Sequence, residues 1–260
     1  MHIDLTGKRA LITGASSGLG AAMAQAFAAA GARVALNHLA AREQAGTLVE
    51  TIVGCGGEAF AVDSDVSDAA AVQAMFNRID GAWGGLDILV NNAGIEGARA
   101  PAWDGDPAEW MRVIEVNLKG AYLCARQALR RMTAQRSGVI LNISSVHERI
   151  AWSGYSAYAA SKAGLSMLSQ TLAQEAAPFA VRVLCIAPGA IRTPINEHVW
   201  TDPRQRADLL DKIPLRRIGE PQDIAGIAVV LASDVASYMT ATSVFVDGGM
   251  TAYPDFAHGG

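Results

Sequence analysis

Short apolar runs, separated by longer segments of helical periodicity, recur along the whole 260-residue chain. They fall at residues 9–13, 33–37, 58–62, 87–91, 138–144, 181–187 and 243–247. Strands that are apolar on both faces belong in a parallel sheet covered by helices on either side. The pattern predicts an α/β fold, a doubly wound parallel sheet of the Rossmann type with about seven strands and right-handed crossovers. No Pro- or Ser-rich linker interrupts it, so residues 1–260 read as a single domain.

In such a sheet ligands bind beyond the carboxyl ends of the strands. The polar and glycine-rich clusters GASSGLG, DSDV, NNAG, ISSVH and PGAIRTP fall at those ends. Gly14, Gly18 and Gly20 follow the first strand with the spacing G-x-x-x-G-x-G and precede an alanine-rich helix. A turn without β-carbons lets backbone amides approach a pyrophosphate, and the helix N-terminus favours its charge. The N-terminal half is therefore a candidate dinucleotide-binding unit.

A second constellation lies further on. Tyr158 and Lys162 are four residues apart on a helix whose period is marked by Leu165, Leu168 and Leu172, and Ser145 precedes them by thirteen residues. Residues four apart share a helix face. A cation beside a phenol favours phenolate, which turns a group of pKa about 10 into a base usable near neutral pH.

Charge and cysteines narrow the partners. A formal charge of −4 and a pI near 5.7, with no concentrated Lys/Arg run, argue against a nucleic-acid surface and for a small-molecule partner. No signal segment and no membrane-length apolar stretch is evident, which predicts a soluble, cytoplasmic protein without membrane partners. Cys55, Cys124 and Cys185 are scattered and odd in number, so they read as inert thiols, and no metal-ligand cluster is evident.

Together these motifs resemble the classical short-chain dehydrogenase/reductase family over nearly the whole chain. Thr13 to Gly20, including Ser16, Ser17 and Leu19, matches its cofactor motif. Asn91-Asn92-Ala93-Gly94 matches its sheet-stabilising motif, and Pro188-Gly189, followed by Ile191 and Thr193, its nicotinamide-side turn. Asn117, Ser145, Tyr158 and Lys162 match its catalytic positions. The resemblance implies that Tyr158 is the base toward a substrate hydroxyl and that Lys162 lowers the Tyr158 pKa and holds the nicotinamide ribose. It implies that Ser145 orients the reacting oxygen and that Asn117 holds a relay water; a helix-kinking role is the bland alternative for Asn117.

The resemblance also implies NAD or NADP as cofactor. Asp65 and Val66 match the adenine-contacting position, with a helix cap as the alternative for Asp65. Asn37 and His38, at the end of the second strand, supply neither the acid that selects NAD nor the arginine that selects NADP. Arg42 is a nearby cation that could equally decorate a helix. Dual or NAD-leaning use is expected.

Segments 143–148, 188–196 and 247–254 are similar to bacterial glucose 1-dehydrogenases, which implies oxidation of a cyclic aldose at C1 to its lactone. Glu96, His147 and Asn196, with Ser145 and Tyr158, would then contact the sugar, although His147 could instead satisfy a backbone carbonyl. The loop AWSGYSA departs from those enzymes and leaves other aldoses open. A carbonyl or 3-oxoacyl reductase and a non-catalytic cofactor-sensing module are the alternatives. The family further implies a homotetramer.

Overall fold

The computed structural model describes residues 3–194 and 200–252. Seven strands, β1 (Arg9–Ile12), β2 (Arg33–His38), β3 (Glu58–Asp63), β4 (Ile88–Asn91), β5 (Gly138–Ile143), β6 (Val181–Pro188) and β7 (Ser243–Val246), form one sheet in the order β3-β2-β1-β4-β5-β6-β7. Every pairing is parallel. All the expected strands are present, and no end is displaced by more than one residue. After β3 the chain returns to the far side of β1, which puts a topological switch point between β1 and β4. Both the glycine turn and the NNAG loop leave the sheet there.

The helices are α1 (Gly18–Ala29), α2 (Arg42–Gly54), α3 (Ala69–Trp83), α4 (Pro107–Ile114), α5 (Ala121–Gln135), α6 (Ser156–Ala176), α7 (Pro203–Asp211) and α8 (Pro221–Ala232). Alternate strand residues sort into two cores. Ala10, Ile12, Leu36, Val90 and Leu141 pack with residues of α1, α2 and α8, whereas Leu11, Ala35, Leu89 and Ile140 pack with residues of α3, α5 and α6. Phe27 and Phe76 are fully buried anchors of the two layers. Each such side chain contributes roughly 1.5–3 kcal/mol by leaving water.

Local chemistry sets the helix ends. The Asp68 carboxylate accepts from the Ala71 amide at 2.7 Å to open α3, which closes at Gly84 with φ 73°. Asp106 and Pro107 open α4 in the same way. One feature lies beyond the sequence pattern. Between α4 and α5, Glu115–Gly120 form a π-helical turn, an uncommon geometry that adds a residue to the turn and re-aims side chains. Asn117 lies in it, 1% exposed.

Candidate active site

The glycine turn is shaped by close approach. Gly14 has φ 62°, and a β-carbon there would stand 2.9 Å from Ala93 Cα. A β-carbon on Gly20 would fall on the Gly14 carbonyl oxygen and 2.7 Å from Asn92 Nδ2. Asn92 closes this packing by donating through Nδ2 to the Thr13 and Gly14 carbonyls at 2.9 and 3.1 Å. Thr13 Oγ1 in turn accepts from the Asn92 and Ala93 amides. Asn91 bonds Asn142 on the neighbouring strand at 2.8 Å, so the NNAG segment does tie the sheet together.

Directly above this packing, α1 begins without a side-chain cap from Ser17 and without an acidic residue in its first turn. Its N-terminal dipole is left for an anion. Ser16, Ser17, Gly18 and Leu19 line a cleft of about 320 Å³ with Asn92, Ala93 and Gly94. A bare, amide-rich rim at a helix N-terminus fits the pyrophosphate of a dinucleotide.

The same cleft is lined by Ser145, Tyr158 and Lys162 and, from the loop after β6, by Pro188, Gly189, Ile191 and Thr193. Ser145 caps a short 3-10 turn, Val146–Glu148, and accepts from the His147 amide at 3.2 Å. Lys162 is 5% exposed and donates from Nζ to the Ile143 carbonyl at 2.8 Å. Its Nζ stands 5.5 Å from the Tyr158 ring centre.

Burial pulls Lys162 down to about 8, against the opposing fields of Cys185 and Glu148. Tyr158 keeps an edge exposed to the cleft but is densely surrounded, and burial pushes its phenol up to about 12. A hydrogen bond with Ser145 pulls it back, and the charge of Glu96 adds to the rise. The expected lowering of Tyr158 by Lys162 is therefore absent from this protein without ligands. Desolvation outweighs a cation that is itself turned toward Ile143. Of the two groups, Lys162 is the first to lose its proton, near 8.

Asn117 stands behind the cleft. Its Oδ1 accepts from the Ile95 amide and its Nδ2 donates to the Ile95 carbonyl, both at 2.8 Å, with a further bond to Ser161 Oγ at 3.1 Å. The side chain thus holds the loop after β4. A β-carbon on Gly94 would meet Asn117 Oδ1 at 3.2 Å and Lys162 Nζ at 3.7 Å, so the two groups flank one bare glycine.

The polar residues expected at the adenosine end make hydrogen bonds within the protein. Asn37 is 2% exposed, donates to the Ser64 carbonyl at 2.9 Å and accepts from the Gly14 amide at 3.4 Å. It fastens the glycine turn to the chain leaving β3. His38 is also buried, with Nδ1 accepting from the Ala41 amide at 3.3 Å. Asp65 Oδ1 accepts from the Ser67 amide and hydroxyl at 2.8 and 2.7 Å, while Oδ2 pairs with Arg112 at 3.1 Å. Burial opposes ionisation of this carboxyl, but Ser67 and Arg112 hold it below its usual range. The helix-capping alternative falls instead to Asp68. Val66 is a core residue that touches the bare face of Gly120. None of these four residues lines the cleft.

On the substrate side, Glu96, Ser145, His147 and Tyr158 line a recess of about 170 Å³. Sequence reasoning missed its aromatic wall. Trp152 stacks between His147 and Tyr155, with ring centres 4.3 and 4.0 Å away, and presents its edge to Tyr158 at 5.8 Å. Leu209 and Met250 close the recess with further apolar surface. The signal was the aromatic pair in AWSGYSA, immediately before Tyr158. His147 engages the Ile150 carbonyl through Nδ1 at 3.0 Å, the backbone role anticipated as its alternative, and burial keeps its pKa low. Asn196 lies outside the described residues. A neighbouring cavity of about 340 Å³, lined by Pro101, Trp110 and Val113, shares Glu96 and Tyr155 with the recess.

A doubly wound sheet with an anion-ready glycine turn and a Ser-Tyr-Lys group at its switch point defines a dinucleotide-dependent oxidoreductase. The family model described as enoyl-(acyl carrier protein) reductase matches residues 14–251, and the chain belongs to this short-chain dehydrogenase/reductase family. It is 48% identical to 3beta-hydroxysteroid dehydrogenase 1 of Eggerthella lenta over 260 residues, covering 100% of this chain and 99% of that one. It is 40% identical to glucose 1-dehydrogenase 2 of Bacillus subtilis over 255 residues, 98% of either chain. A solved gluconate 5-dehydrogenase from Burkholderia cenocepacia J2315, in complex with NADP and tartrate, superposes with a TM-score of 0.92 at 34% identity, over 97% of this chain and 98% of that one.

Proposed function

We propose that this oxidoreductase, working with NAD(P), interconverts a secondary alcohol and a ketone on the terminal ring of an extended, apolar substrate of the hydroxysteroid kind. The observation that carries the reading is the paired cavity. A recess of about 170 Å³ beside Tyr158 has room for one ring, and a cavity of about 340 Å³ that shares Glu96 and Tyr155 with it offers space for the remainder of a longer substrate. The aromatic cluster of Trp152, Tyr155 and Tyr158, with Leu209 and Met250, makes the recess wall largely apolar. The 48% identity to a 3beta-hydroxysteroid dehydrogenase supports the same direction.

Bound NAD(P) supplies the hydride acceptor or donor. In oxidation Tyr158 takes the hydroxyl proton as its own proton passes on toward Lys162, and in reduction both transfers reverse, while Ser145, hydrogen-bonded to Tyr158, orients the reacting oxygen. Lys162 places a positive charge beside this pair and holds the ribose. Asn117 positions the loop after β4 next to Lys162.

Oxidation of an aldose at C1 is the second reading, favoured by Glu96 in the recess and by the likeness to glucose 1-dehydrogenase 2. A screen of the purified enzyme with 3-hydroxysteroids, cyclohexanol and aldoses, each with NAD and NADP, separates the two. The steroid should give the highest kcat/KM; a higher value for glucose sinks the steroid assignment. The homotetramer belongs to this proposal, supported by the exposed apolar side chains Tyr122 and Met167 on α5 and α6, and sedimentation measures it. No helix among the described residues is long and apolar enough to cross a membrane.

A further inference from the structure

We propose that Glu148 is a positioning residue for Lys162: its carboxylate, set against the next turn of α6, holds the lysine side chain as an ammonium ion beside Tyr158. This rests on the reading of Tyr158 and Lys162 as the acid-base pair. Glu148 ends the 3-10 turn that Ser145 begins, and its amide donates to the Ser145 carbonyl at 3.0 Å. One short turn thus sends Ser145 toward the substrate and Glu148 toward the helix behind it.

There Glu148 Oε1 accepts from Ser166 Oγ at 3.2 Å, and Ser166 Oγ stands 3.3 Å from Ser243 Oγ on β7. Ser166 follows Lys162 by four residues, on the same face of α6. The other oxygen, Oε2, is buried and has no hydrogen-bond partner. A carboxylate oxygen stripped of water and of donors is costly unless a cation offsets it. Lys162, one turn back on α6, forms no direct ion pair with Glu148, yet the Glu148 charge favours its protonated form.

The remaining groups around Lys162 do not take this role. Tyr158, on the same helix, carries its proton at neutral pH. Cys185 on β6 is pushed by burial to about 11 and is a neutral thiol. The Ile143 carbonyl at the end of β5 and Asn117 from the π-helical turn are uncharged. His147 is depressed and neutral, and Glu96 exerts its field on Tyr158. Glu148 is the anion of this group that bears on the lysine.

The test follows the lysine itself in cofactor-free protein labelled at lysine Cε with carbon-13. The Lys162 resonance is identified by its loss in Lys162→Arg, against those of Lys8, Lys119 and Lys212. Glu148→Gln should lower its titration midpoint by about one pH unit, the scale of one nearby opposite charge. Glu148→Asp, which retains the charge but withdraws it, should give a smaller drop and decides the matter if the glutamine variant does not fold. The rising limb of the oxidation pH profile should move down by the same amount. An unchanged Lys162 midpoint overturns the proposal. Because the titration needs neither substrate nor turnover, its outcome is independent of the substrate and of the part played by Tyr158.

Discussion

At the ends of β2 and β3, Asn37 and Asp65 have their polar atoms engaged by Ser64, Gly14, Ser67 and Arg112, within the protein. At the ends of β5 and β6, Ser145, Tyr158, Gly189 and Thr193 line the cleft, and so does Lys162 from α6. Both regions carry the polar residues that a nucleotide enzyme displays at strand ends. The difference lies in what the engaged groups also face. On the β2–β3 side Asn37 fastens the glycine turn and Asp65 is held by Ser67 and Arg112. On the β5–β6 side Ser145 and Lys162 make backbone bonds as well, yet both line the cleft.

The hardest test of this contrast is Tyr158→Phe. Loss of the proton-transferring hydroxyl should lower kcat about a thousandfold with little change in melting temperature; activity within a few-fold of the parent breaks the active half of the comparison. Next in size is the pH response. Because Lys162 loses its proton near 8 and only then can take on the proton that Tyr158 passes along, kcat for oxidation should climb roughly tenfold per unit below that pH and level off above it. Reduction, which needs the fully protonated pair, should decline over the same interval. Matching pH-independent profiles would show that Lys162 and Tyr158 do not titrate as a unit.

On the other half the expected effects fall on stability. Asn37→Ala leaves the Ser64 carbonyl and the Gly14 amide without their partner, and should cost about 2 kcal/mol in urea unfolding. The NADH to NADPH affinity ratio, read by cofactor fluorescence, should change less than about threefold, under 1 kcal/mol. A tenfold change would show that Asn37 reads the cofactor. Smallest is Asp65→Asn. Its part-exposed pair with Arg112 contributes at most about 1 kcal/mol, and cofactor affinity should barely respond.

How much was legible depended on whether a residue's role is local. The seven strands were readable because a strand buried on both faces must be apolar throughout, whatever its neighbours. Gly14 and Gly20 were readable because close backbone approach excludes a β-carbon. The π-helical turn at Asn117 was foreshadowed only as the helix-kinking alternative, since residues 107–135 carry ordinary helical periodicity and the bonds of Asn117 to Ile95 and Ser161 lie between distant segments. Trp152 went unread because stacking between His147 and Tyr155 is a relation among three side chains, not a spacing.

By itself the sequence determined the doubly wound sheet, the anion-ready turn and the identity of the chemical groups Ser145, Tyr158 and Lys162, because apolar periodicity, glycine sterics and functional-group chemistry are properties of residues. Only the tertiary structure decided that Asn37 and Asp65 bond within the protein, that Tyr158 rises to about 12 rather than falling, and that Glu148 meets Ser166, one turn beyond Lys162 on α6. Hydrogen-bond satisfaction and desolvation depend on what surrounds a group in space, and strands and helices distant in the chain supply those surroundings.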